Sequence, residues 1–125
     1  MVLLDTHTLI WYMFDSSRLS EMAVKRISDE EKVYYSMVSL WEIAIKQSIG
    51  KIDIDCSMVE LAEKCEEAGL TVLNIRSEHV ECIKNLPNHH NDPFDRILIA
   101  QATIEGLDFI TKDANISLYD INVIW

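Results

Sequence analysis

The chain predicts an α/β fold, a central parallel β-sheet with helices on both faces. Three observations predict it: strands that read as short, near-continuous apolar runs, helical patterns alternating with them, and sparse Gly and Pro falling between elements. With 125 residues, 49% of them hydrophobic, the chain is expected to form one domain, residues 1–125, around a real core. No apolar run reaches transmembrane length and no cationic segment precedes an apolar one at the start, so no membrane partner and a cytoplasmic location are expected. Cys56, Cys65 and Cys82 are odd in number and form no CxxC, so they read as small buried hydrophobes rather than disulfides or a zinc site. Twenty-one acids against eleven Lys and Arg give a net charge of −10. That argues against broad electrostatic binding of nucleic acid and favours solubility, a basic partner, or an acidic site that holds cations.

In order along the chain, "VLL" reads as a first core strand, followed at once by Asp5 and a helical pattern through Trp11 and Phe14. Ser20 caps a second helix, "EMAVKRI", which ends in an acidic turn, Asp29 to Glu31, expected to be solvated. "KVYYSMV" is a short β-rich run, and "SLWE" spells a capping box opening a helix that Gly50 closes. "SMVELAEKCEEAG" repeats that pattern, closed by Gly69. "LTVLNI" reads as a strand and "SEHVECIKNL" as a helix stopped by Pro87. The next helix has Asp92 as N-cap, Pro93 first and Asp95 at the third position, and ends at Gly106. "LDFIT" and "INVIW" finish as strands.

In such sheets, ligands bind outside the carboxyl ends of the strands. Asp5 follows the first strand, Glu42 falls in the first turn of the helix after the second, and Asp113 lies just past the strand ending near Thr111. Asp95 opens the helix leading into that strand, on the stripe of Leu98, Ile99 and Ala102 that should face the core. Each acid has an ordinary structural reading: Asp5 as a cap, Glu42 as partner of Ser39 and Lys46, Asp95 as a dipole-compensating acid, Asp113 as an Asx turn. Jointly they crowd one edge of the sheet. Crowded carboxylates raise one another's pKa unless a cation neutralises them, and hard ions such as Mg²⁺ and Mn²⁺ prefer oxygen ligands of this type. Sites of this kind hydrolyse phosphodiesters.

"LLDTHTLIW", "SLWEIAIK", "HHNDPFDRILIAQA" and "FITKDANI" resemble, in order and over nearly the whole chain, the successive motifs of the PIN-domain family, specifically its VapC-like ribonuclease toxins of type II toxin–antitoxin systems. The resemblance implies a single PIN-like domain, Mg²⁺- or Mn²⁺-dependent cleavage of RNA, and pairing with an antitoxin. Asp5, Glu42, Asp95 and Asp113 match the family's acidic quartet, as metal ligands and catalytic groups. Asp92, in the "DPFDR" variant of the third motif, supports the site. An acidic nuclease also suits inhibition by a peptide bringing basic and apolar groups, so the expected antitoxin has a basic C-terminal segment. The expected assembly is a homodimer or a toxin–antitoxin hetero-oligomer.

Thr6 and Thr111 flank proposed ligands and read either as hydroxyls that orient them or as local turn caps. Arg96 and Lys112 read as RNA phosphate contacts or as surface charges balancing the acids. His7, His89 and His90 lie near the cleft and read as loop histidines before metal ligands. Trp11, Tyr12 and Phe14 read as core packing, with one available to a partner. Two rival functions remain. "DTHT" faintly matches a phosphoaspartyl phosphatase signature, but position 7 is His rather than the second aspartate. The other rival is a catalytically silent acidic module binding metal or a basic peptide.

Overall fold

The computed structural model describes residues 1–125. Five strands, β1 (Val2–Leu4), β2 (Val33–Ser36), β3 (Thr71–Leu73), β4 (Asp108–Ile110) and β5 (Val123–Ile124), pair in parallel as one sheet. Their order is β3-β2-β1-β4-β5. Six helices connect them: α1 (Thr6–Phe14), α2 (Glu21–Asp29), α3 (Met37–Ser48), α4 (Met58–Glu67), α5 (Ser77–Ile83) and α6 (Pro93–Glu105), with 3-10 turns at Ser16–Arg18 and Ala114–Leu118.

The central strand explains the apolar run. All three residues of β1 are wholly buried, because both faces of the sheet are covered. Val2 and Leu4 point to the face where α1 to α4 supply Leu9, Ala23, Ile43 and Leu61. Leu3 and its register partner Phe109 point to the other, where α6 supplies Leu98, Ile99 and Ala102. Two cores with one sheet between them is the expected α/β arrangement, with helices on both faces.

Gly106 closes α6 in the left-handed region, at φ +66°, where a side chain would be strained. Ser20 caps α2 through Ala23 N–H, and Ser57 and Glu60 form a reciprocal capping box on α4.

Two expectations need correction. The "SLWE" capping box does not form. Ser36 caps α3 by accepting from Val38 N–H at 3.1 Å, so the helix starts at Met37 and Glu42 sits in its second turn, not its first. Ser36 wins because it ends β2, and its hydroxyl also donates to buried Gln101 at 2.6 Å. The acidic turn after α2 is not simply solvated either. Glu30 pairs with the amino group of Met1 at 2.9 Å and with Arg26, and Arg26 also reaches Asp108 at 2.5 Å. The amino group and Arg26 hold the Glu30 carboxyl below its ordinary range. These ties fasten the amino ends of β1 and β4 to α2, at the end of the sheet away from the acids.

From β1 the chain steps outward through β2 to β3, then returns to place β4 and β5 on the other side of β1. The point of reversal is the crevice at the carboxyl ends of β1 and β4.

Candidate active site at the carboxyl ends of β1 and β4

Asp5 is the residue after β1 and the N-cap of α1. Its Oδ1 accepts from Thr8 N–H at 2.7 Å, and its Oδ2 accepts from the Thr111 hydroxyl at 2.5 Å. Thr111 follows β4, and its Oγ1 in turn accepts from Asp113 N–H at 3.1 Å. One buried hydroxyl thus ties the first acid to the segment carrying the last. Burial pushes the Asp5 carboxyl up, against the lowering pull of Thr111, Thr8 and His7.

Asp113 caps the 3-10 turn Ala114–Leu118, accepting from Asn115 N–H at 2.9 Å, with the rest of its carboxylate exposed. Glu42 is buried where α3 meets α1. Its Oε1 accepts from Thr6 at 2.7 Å and its Oε2 from Lys46 Nζ at 2.6 Å. Thr6 therefore serves Glu42 rather than the aspartate beside it.

The two acids of "DPFD" divide the work. Asp92 is the N-cap of α6, accepting from the N–H groups of Phe94 at 2.9 Å and Asp95 at 3.2 Å. Asp95 makes no return bond to Asp92, so its side chain is free to face the crevice. Its carboxyl is pushed up to about 7, first by burial, then by the charges of Asp92, Asp5, Glu42 and Asp113. After burial and Asp92, the other three acids of the quartet each add to that shift, so all three lie within electrostatic reach of Asp95.

In this structure no three of the chain's His, Cys, Asp and Glu side chains lie close enough together to hold a metal ion. Asp5, Glu42 and Asp113 are held back by their own hydroxyl, amine and cap partners, and like charges favour that spacing. The donor chemistry nonetheless fits a hard divalent ion: the converging groups are carboxylates, only Glu42 has a paired cation, and no thiol lies among them.

Several neighbours have roles the sequence did not reveal. Arg96 points away from the crevice, donating to the carbonyls of Pro87 at 2.8 Å, Leu86 at 3.3 Å and Ile83 at 3.4 Å and to Tyr119 Oη at 3.2 Å. It clamps the loop before α6, and both of its terminal nitrogens are engaged there rather than turned toward a phosphate. Lys112 is exposed and lies 5.9 Å from the Trp11 ring centroid, which Arg18 also covers at 5.0 Å. Trp11 is half-buried against Trp125, while Phe14 is the most exposed of its aromatic group. His7 is exposed beside Trp11, and His89 stacks edge-on against Tyr119. Buried His79, unremarked in the sequence, accepts from Arg76 N–H and reaches Glu105 at 2.9 Å, joining α5 to α6 away from the acids. Tyr119 was missed because its partners lie far off in sequence.

Comparison with known proteins agrees with this architecture. The family model described as PIN domain matches residues 2–122. Ribonuclease VapC22 of Mycobacterium tuberculosis (strain ATCC 25618 / H37Rv) is 28% identical over 116 residues, covering 90% of this chain and 86% of that protein. The crystal structure of FitAcB from Neisseria gonorrhoeae superposes with a TM-score of 0.66 at 20% identity, over 98% of this chain and 96% of that one. VapBC2 from Rickettsia felis, bound to a DNA fragment from its promoter, does so with a TM-score of 0.69 at 10% identity, over 98% and 97%. The match from Val2 to Asn122, carried by a five-stranded parallel sheet with acids at its switch point, makes this chain a member of the PIN domain family.

Proposed function

We propose that this chain is a divalent-metal-dependent endoribonuclease, the toxin of a type II toxin–antitoxin module. The observation that carries the reading is the placement of Asp5 after β1, Asp113 after β4 and Asp95 in the first turn of α6, where burial and the neighbouring acids push the Asp95 carboxyl up to about 7. Similarity to a protein named as a ribonuclease supports the substrate class. Asp5, Asp95 and Asp113, with Glu42 beside them, would hold Mg²⁺ or Mn²⁺. Bound there, such an ion would lower the pKa of a water and offset charge on a phosphoryl group.

The chain's own residues have separable tasks. Thr111 fixes Asp5 in orientation, Thr6 and Lys46 fix Glu42, and Asp92 starts α6 so that Asp95 faces inward. Lys112, beside Asp113 and without a carboxylate partner, is the cation available to an RNA phosphate. Asp5 is poorly suited to nucleophilic attack in a phosphatase, since both its oxygens already accept hydrogen bonds.

The purified chain should cleave RNA with Mn²⁺ or Mg²⁺ and stop when EDTA is added. Absence of cleavage with either ion, together with no thermal shift by Mn²⁺, would leave only a silent domain.

The partner we propose is an antitoxin whose C-terminal segment is apolar and basic. A groove of about 890 Å³ runs between α3 and α4 over the edge strand β3, lined by Leu40, Trp41, Met58, Val59 and Ala62, with Glu63 and Glu66 among its walls. Trp41 and Val59 are 57% and 71% exposed, so an apolar segment would find surface to bury and acids to meet. Trp41 packs edge-on against Phe94, 5.1 Å away, so the rim of the groove touches the first turn of α6, the turn that also carries Asp95. A segment lying there could bring an Arg to the carboxylates. Induced alone, the chain should arrest growth. Co-expressed with the neighbouring short reading frame, it should co-purify with that product and growth should return, and Val59→Glu should weaken that capture while leaving cleavage intact.

A further inference from the structure

Near the acid crevice, one buried polar atom lacks a hydrogen-bond partner: Nε2 of His90. It lies 3.4 Å from Asp95 Oδ2, longer than the ~2.9 Å of an ordinary N–H···O bond. The other ring nitrogen is firmly engaged, with Nδ1 2.8 Å from Tyr119 Oη. Tyr119 is itself almost fully buried.

The protons in this chain of contacts can be assigned by elimination. Arg96 NH1 is a donor with no accepting capacity, so at 3.2 Å the Tyr119 oxygen accepts from it. Arg96 NH1 and His90 Nδ1 are the two groups in hydrogen-bond reach of Tyr119 Oη, and only Nδ1 can accept, so the phenolic hydrogen is directed to His90. A neutral imidazole with an accepting Nδ1 carries its hydrogen on Nε2. That N–H is the atom facing Asp95.

We propose that Arg96, Tyr119 and His90 form a positioning relay that presents an N–H to Asp95 Oδ2 and fixes the direction of this carboxylate in the crevice. The relay accounts for several features together. Arg96 holds the loop carbonyls from Ile83 to His90, so the same side chain that starts the relay also seats the loop carrying its last member. His89 packs edge-on against the Tyr119 ring at 4.8 Å and keeps that ring in place. Of the four acids, Asp95 is the one whose carboxylate accepts no hydrogen bond, whereas Thr111 serves Asp5, Thr6 serves Glu42 and Asn115 N–H serves Asp113. His90 supplies the missing restraint. It is a positioning residue, neither metal ligand nor proton donor to substrate. Groups that orient metal ligands in this way commonly change metal affinity or activity by about 10–100-fold when removed.

The functional part of this inference rests on the nuclease reading, and the proton assignment does not. In metal-free protein with ¹⁵N-labelled histidine, above the pH at which the ring is charged, His90 should show an unprotonated Nδ1 and a protonated Nε2, with its signals identified by their loss in His90→Gln. Tyr119→Phe should abolish that single-tautomer signature, lower kcat for RNA cleavage by roughly 10-fold with KM unchanged, and weaken Mn²⁺ binding in a thermal-shift titration by a similar factor. His90→Gln, whose amide N–H can take the place of Nε2–H, should keep most of kcat. His90→Leu should not, although the two melt at similar temperatures. A proton on Nδ1 in the native protein would overturn the relay, as would native kcat and Mn²⁺ affinity in both Tyr119→Phe and His90→Leu, or equal loss in the Gln and Leu variants. A native protein that cleaves no RNA would strike at the nuclease reading instead, and the histidine spectrum would still decide the relay.

Discussion

Asp95→Asn should lose RNA cleavage by on the order of 10³-fold or more, while the metal-free protein becomes more stable, not less. The sign follows from the raised carboxyl. A folded value of about 7 against an unfolded 3.8 means the folded state holds its proton more tightly. Its stability contribution is therefore fully present below pH 3.8 and is lost as pH rises through 7. Asparagine keeps the shape and cannot ionise, so the variant escapes that loss. Measured without metal, its stability relative to the native protein should grow by about 2 kcal/mol between pH 5 and pH 8 and level off above. Mn²⁺ should then shift the native melting temperature far more than that of the variant, because relief of repulsion is part of what the ion contributes. If Asp95 merely complements the dipole of α6, the amide costs up to about 1 kcal/mol at neutral pH and cleavage is unchanged. Melting curves in EDTA at the two pH values, beside the cleavage assay, separate these outcomes.

The same residue shows how much sequence could say. Asp95 lies in line with Leu98, Ile99 and Ala102, so its inward direction follows from helical spacing alone. The sheet was equally legible, because a central parallel strand leaves no polar alternative and "VLL" spells burial on both faces. Local hydrogen-bond chemistry was less secure where two candidates compete within one turn. Ser36 and Ser39 both precede a helical pattern, and the spelling of a capping box favours Ser39. Ser36 has in addition Gln101, sixty-five residues away, and that long-range bond fixes the helix start.

Partners that are distant in sequence explain the remaining misreadings. Glu30 looked like a solvated acid until the fold brought the Met1 amino group to it, beside its own helical neighbour Arg26. Arg96 looked like a phosphate contact because it adjoins Asp95, yet adjacent residues on a helix point about 100° apart, and Arg96 faces the carbonyls of the preceding loop. Nothing local in "ISLYDI" marks Tyr119 as the partner of a histidine twenty-nine residues earlier. Sequence pattern reports which face a residue occupies. Which atom meets it there depends on the packing of the whole domain.

Asp5 should separate charge from hydrogen bonding at the same site. Both Asp5→Asn and Asp5→Ala should abolish cleavage, since neither retains the carboxylate at the end of β1. Their stabilities should diverge. Asparagine keeps an oxygen to cap α1 through Thr8 N–H, and the buried Thr111 hydroxyl can turn to accept from its amide. It also removes a carboxyl that burial pushes up, so at pH 7 the metal-free Asn variant should match or exceed the native protein. Alanine removes the cap, worth about 1 kcal/mol, and leaves the buried Thr111 O–H with no group at position 5 to bond, which costs about 1–3 kcal/mol. After the gain from losing the buried charge, a net destabilisation of about 1–3 kcal/mol remains, and Asp113 should loosen because Thr111 also holds its N–H. Urea unfolding in EDTA would measure the difference. Equal stability of the two variants would mean that Thr111 does not depend on Asp5, and cleavage by Asp5→Asn at the native rate would remove Asp5 from the catalytic set.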